Sequence, residues 1–91
     1  MGHTPEKPKR LAQKLSQIRQ GLGLSQNGLV GHLGLTGQLS QGKISEFETG
    51  RREPSLLILL KYARAAGVIV DVLIDDELDL PAKARKSRKP K

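Results

Sequence analysis

Leu11, Leu15, Ile18 and Leu22 recur at steps of four, three and four residues, so their side chains fall on one face of a helix with 3.6 residues per turn. The pattern predicts a first helix that starts at Pro8, where a missing N–H costs nothing, and stops at Gly21 and Gly23. Ser25 is placed to cap a second helix of about two turns, with Leu29, Val30 and Leu33 turned inward before Gly34. Residues 35–42 contain two glycines and read as a connection. Ser40 then caps a third helix that carries Ile44 and Phe47 inward and ends at Gly50. After the loop Arg51-Arg52-Glu53-Pro54, Ser55 caps a fourth helix whose Leu56, Leu59, Leu60, Ala63 and Ala66 face the core until Gly67. Residues 68–74 are open between two states: their β-branched residues favour a strand, whereas Asp71 to Leu73 fit a short fifth helix. The expected fold is therefore all-α, a bundle of four to five short helices over residues 8–80. A polar, proline-bearing arm precedes it over 1–7, and a basic tail follows over 81–91 that has almost nothing to bury and is expected to be disordered.

Composition narrows the function classes. Ninety-one residues make one small domain, and without cysteine neither a disulfide framework nor a thiolate metal site is available. No apolar run approaches the length of a membrane span, and Met1 to Pro5 lacks the apolar stretch of a leader, so a soluble cytoplasmic protein is expected. The formal charge is +7, and six of those charges come from Lys83, Arg85, Lys86, Arg88, Lys89 and Lys91 of the tail. Within the body, Lys7, Lys9, Arg10, Lys14, Arg19, Lys43, Arg51 and Arg52 come early while Asp71, Asp75, Asp76, Glu77 and Asp79 cluster late. A polarised domain with a basic tail fits a polyanionic partner.

Catalysis has no positive signal, because nucleophile elbow, phosphate loop and dinucleotide fingerprint are all missing from the chain. His3 and His32 stand far apart without companion ligands, so neither a metal nor another cofactor is expected, and His32 reads as a helix surface residue. The Asp75-Asp76-Glu77-Asp79 cluster lacks a calcium-loop pattern and reads as a solvated acidic edge. The chain is expected not to be an enzyme.

Two short serine-capped helices joined by a glycine-bearing turn, with a covering helix before them, make a helix-turn-helix arrangement. The strings that carry more than this are Ile18-Arg19, Gly21-Leu22-Gly23-Leu24-Ser25-Gln26, and the run from Ser40 to Leu56. Over about residues 9–75 their order resembles the Cro and phage-repressor family of bacterial regulators, also called the xenobiotic-response-element family, whose lambda-repressor-like fold is all-helical. The resemblance implies that the third helix, about 40–49, docks in the major groove of double-stranded DNA. It makes Gln41 and Lys43 base readers, glutamine suiting adenine and lysine suiting guanine, with Ser45 and Glu46 one turn later on the same side. It also implies that Gln26 touches a phosphate and braces the first reader, and that Arg19 and Glu48 form a structural ion pair between the first and third helices. Ser25, Ser40, Arg51 and Arg52 are expected to contact phosphates, which fix register without reading sequence.

The stretch Leu35-Thr36-Gly37-Gln38 departs from that family as an insertion of about four residues in the turn. Either it forms an extra half-turn held by Leu35 and Leu39, or it lengthens the third helix backwards, and Thr36 and Gln38 join the candidate DNA contacts. Leu57, Ile58, Ile69, Val70 and Ile74 lie off the buried stripes and are candidates for a homodimer interface, which would let two recognition helices meet successive major grooves. Two roles remain: a transcriptional repressor on a palindromic operator, or the antitoxin of a toxin pair that binds both a protein toxin and its own promoter.

Overall fold

The computed structural model describes residues 8–81. The expected 1–7 arm and, apart from Pro81, the expected basic tail lie outside the described residues. Five helices follow one another: α1 (Leu11–Gly21), α2 (Gln26–His32), α3 (Gln41–Thr49), α4 (Leu56–Ala66) and α5 (Val70–Ile74). The ambiguous 68–74 segment is therefore helical, and no strand occurs among the described residues; Thr36 and Leu39 make only an isolated bridge. α1 lies at the centre, packed on α3, α4 and α5, while α2 packs on α3 and α4 on α5. Its Leu15 and Ile18 are fully buried against Leu29, Ile44, Tyr62 and Leu73 from the other four helices. The serine hydroxyls of Ser25, Ser40 and Ser55 each accept from the backbone N–H three residues on, which satisfies a donor the helix cannot. α3 and α4 close on Gly50 and Gly67 at φ +80° and +73°, left-handed positions where a side chain would be strained.

α1 begins at Leu11 rather than at Pro8. The backbone N–H groups of Lys9 and Arg10 donate to the Asp76 carboxylate at 2.9 and 3.0 Å, so a residue 66 or 67 positions away supplies the cap that the local sequence lacks. Arg10 completes the junction: its Nη1 donates to the Asp76 carbonyl at 2.7 Å, and its Nη2 pairs with the Asp79 carboxylate. The acidic cluster is thus a clasp on α1 and not merely a solvated edge. The two backbone donors hold the Asp76 carboxyl below its ordinary range, and the Arg10 guanidinium does the same for Asp79. Both groups bind a proton less readily folded than unfolded, so their contribution is present above the ordinary aspartate range and is lost as pH falls through the lowered values. Asp76→Ala is accordingly expected to melt below wild type at pH 7, with the gap closing as the pH drops below about 4; a gap that persists at pH 2 would mean the clasp is not electrostatic.

Lys14 stands out among the basic residues of α1 because it is only 1% exposed. Its ammonium donates to the carbonyls of Val72, Asp75 and Leu78 at 2.8, 3.0 and 2.7 Å, using all three of its N–H bonds. Burial, with the neighbouring Arg10 charge, lowers its pKa. α5 is only five residues long and could not persist alone, so α1 holds its last turn from the side.

α4 corrects two expectations about the core. Leu56 is 80% exposed, at the start of α4 and off the face that carries Leu59. Leu60 is half-buried. The buried stripe consists of Leu59, Tyr62, Ala63 and Ala66, spaced as one helix face.

Candidate nucleic-acid interface

Ser40 and its hydrogen bond to the Lys43 N–H at 3.3 Å start α3 at Gln41, so the inserted residues do not lengthen the recognition helix backwards. They form a compact turn: the N–H groups of Gln38 and Leu39 both donate to the Leu35 carbonyl at 2.9 Å, and Leu35 is buried. Leu39 packs against the core as well.

Across this turn, four side chains join in one chain of hydrogen bonds. Arg19 of α1 grips Glu48 of α3 side-on, Nε to Oε2 at 2.7 Å and Nη2 to Oε1 at 3.1 Å, and its Nη1 donates to the Leu24 carbonyl at 2.8 Å. The two side chains are 17% and 7% exposed. This hydrogen bond to Glu48 raises the Arg19 pKa. Gln26, at the first position of α2, donates through Nε2 to the same Glu48 Oε1 at 3.3 Å. Gln41, exposed at the first position of α3, donates through its Nε2 to Gln26 Oε1 at 3.3 Å. The chain runs from a buried ion pair to the exposed end of α3.

The rest of α3 presents its outer face. Ile44 and Phe47 point inward, and at 100° per residue the opposite arc carries Gly42, Ser45, Glu46 and Thr49. Gln41 and Lys43 flank this arc roughly 160° apart around the axis, so they do not share one edge. Glu46 is engaged by Arg52, Nε to Oε1 at 2.7 Å, which lowers the Glu46 pKa. The backbone N–H groups of Arg51 and Arg52 both donate to the Glu46 carbonyl, folding the arginine loop back onto the end of α3. Arg51 and Arg52 are exposed beside the helix. Ser25 and Ser40 sit at helix N-termini with their hydroxyls accepting backbone N–H bonds. Thr36 is exposed on the turn, whereas Gln38 lines a groove with Leu39, Leu57, Ile58 and Lys61 on the α4 side.

A family described as Helix-turn-helix domain matches residues 10–76, which includes all five helices and the whole of this hydrogen-bonded chain. The protein belongs to the helix-turn-helix domain family. No curated protein and no solved structure matches it. In this helix-turn-helix domain, α2 and α3 are the paired helices and α1 is the brace behind them. No helix among the described residues is long and apolar enough to cross a membrane, and no group of three or more His, Asp or Glu gathers there as a metal site would require.

Tyr62 was not legible as a partner of the site. It is fully buried, burial pushes its pKa up, and it lies within the fields of Glu48 and Arg19; its hydroxyl makes no hydrogen bond among the described residues. Only its position one turn after Leu59 on the apolar stripe could have marked it as core. The candidate interface residues divide. Leu57, Ile69 and Ile74 are 71%, 65% and 42% exposed, with Leu56 and Leu78 adding to the apolar surface. Ile58 and Val70 are half-buried and pack against the core of the domain itself, so they offer less free surface than the other three.

Proposed function

We propose that this helix-turn-helix domain is a sequence-specific transcriptional regulator of the Cro and phage-repressor type, a repressor rather than an enzyme, which docks α3 in the major groove. The observation that carries the reading is the Gln41–Gln26 hydrogen bond, which holds an exposed glutamine at the leading end of α3. A glutamine amide held there can donate to adenine N7 and accept from N6 at once. Lys43, Ser45 and Glu46 are its fellow base readers, with Glu46 released from Arg52 or retained by it according to the base it meets. Gln26, Ser25, Ser40, Thr36, Arg51 and Arg52 make the phosphate contacts that set register. Gln38, exposed where the turn meets α4, stays with Thr36 in this set. The exposed leucines and isoleucines of α4 and α5 support a two-fold homodimer on a palindromic site.

The test is binding to DNA from upstream of the protein's own gene against random DNA of equal length, at two salt concentrations. Wild type is expected to prefer its own upstream DNA, and Gln41→Ala to lose about 1 to 3 kcal/mol of that preference while staying folded. A chain ending at Leu80 is expected to bind both DNAs more weakly and with a shallower salt slope, since the tail acts through counterion release. A wild type without preference for its own upstream DNA would overturn the sequence-specific reading, and the antitoxin alternative with it, since that antitoxin also binds its own promoter.

A further inference from the structure

We propose that the Arg19–Glu48 ion pair sets which base Gln41 reads, with Glu48 acting as a positioning residue through Gln26. The inference rests on the DNA-reading role of Gln41 proposed above. Its basis is the direction of the hydrogen bonds. A carboxylate opposite an arginine accepts and cannot donate. Gln26 touches Glu48 Oε1 at 3.3 Å, so it must turn its NH2 toward Glu48, and its carbonyl oxygen is left facing Gln41. Gln41 must then give one N–H of its own NH2 to Gln26. What remains for the groove is the other N–H beside the Oε1 acceptor, in one left-to-right order. A free glutamine presents either order by rotating its last bond; this one is held in a single order by a charge two side chains away. That order matches the donor and acceptor of adenine, and the reverse order places a donor where guanine has O6.

Two substitutions act on the chain by different routes. In Glu48→Gln, the single amide oxygen either stays on Arg19 Nε at 2.7 Å or takes the Oε1 site, which accepts from both Arg19 Nη2 at 3.1 Å and Gln26 at 3.3 Å, so the carboxylate's compulsion on Gln26 is released and not reversed. Gln26 and Gln41 are then free to take either order. In Gln26→Lys, an ammonium that only donates replaces the relay and leaves the Arg19–Glu48 pair intact; Gln41 must offer its oxygen.

The experiment is selection of bound sites from a randomised duplex pool by wild type, Gln41→Ala, Glu48→Gln and Gln26→Lys, each checked for a cooperative melt. The position flattened by Gln41→Ala is the one Gln41 reads, and wild type is expected to take adenine there. Gln26→Lys is expected to lower the adenine-over-guanine ratio at that position by about tenfold or more and Glu48→Gln by a smaller factor, both leaving the other positions unchanged. A purely structural Glu48 would change affinity at every position alike. A folded Gln26→Lys that keeps the adenine preference overturns the proposal while the DNA-reading role stands. If Glu48→Gln does not fold, Gln26→Lys decides alone. If Gln41→Ala flattens no position, the reading role of Gln41 fails, and the relay with it.

Discussion

Glu48→Ala is expected to cost about 3 to 5 kcal/mol of stability, because it strands the Arg19 guanidinium in a site where that side chain is 17% exposed. A domain with 74 described residues has a total stability on the order of 4 to 11 kcal/mol, so the variant loses a large share of it and should melt well below wild type. The Arg19 guanidinium spans three elements, donating to Glu48 on α3 and to the Leu24 carbonyl in the loop before α2. Its loss should therefore loosen the whole helix-turn-helix, and lost DNA binding in either single variant would report unfolding and not a missing contact. Chemical denaturation of wild type, Arg19→Met, Glu48→Leu and the double variant separates the terms. The double variant is expected to be more stable than either single one, since no buried charge is left alone, yet still below wild type because the Leu24 carbonyl has lost its donor. Single effects that simply add would show that the pair is not coupled in the folded state.

Lys14→Met is expected to cost about 2 to 4 kcal/mol. Hydrogen bonds from a charged group contribute on the order of 1.5 to 3 kcal/mol each, but removing a buried ammonium also removes its desolvation cost, so the three bonds to Val72, Asp75 and Leu78 do not sum. Methionine fills similar space without a donor, which isolates the polar term from a cavity. The loss should be local first. Amide hydrogen exchange in α5 is expected to rise before that of α1 or α3, because α5 is a five-residue helix held by this side chain together with Leu73 and Val70. Equal acceleration throughout the domain would show that α5 opens only with global unfolding.

These two pairs differ in how visible they are along the chain. The Arg19–Glu48 pair was expected only through resemblance to a family, since nothing local links residues 29 positions apart. The Lys14 contacts, at separations of 58 to 64 residues, had no sequence signal: Lys14 occupies one more polar position on an amphipathic helix, and its acceptors are backbone carbonyls that carry no residue identity. Asp76 was hidden for a related reason, because the donors it caps are the backbone N–H groups of Lys9 and Arg10.

What the chain determined by itself is local. Leu11, Leu15 and Ile18 on one face, serines before α2, α3 and α4, and glycines after α3 and α4 specify helices through interactions that reach no further than about four residues. The same strings place the paired helices of the helix-turn-helix. Tertiary structure alone decided which apolar residues are covered and which charges are paired. Leu56 and Leu59 are both leucines one turn apart, yet the packing of the other helices covers Leu59 and leaves Leu56 exposed. Gln38 is a candidate DNA contact because it lies in the enlarged turn, and only the closing of the 35–39 turn shows that it also lines a groove beside α4. Exposure and pairing depend on how distant segments meet, and that meeting is set by the summed packing of the core rather than by any residue's own neighbours.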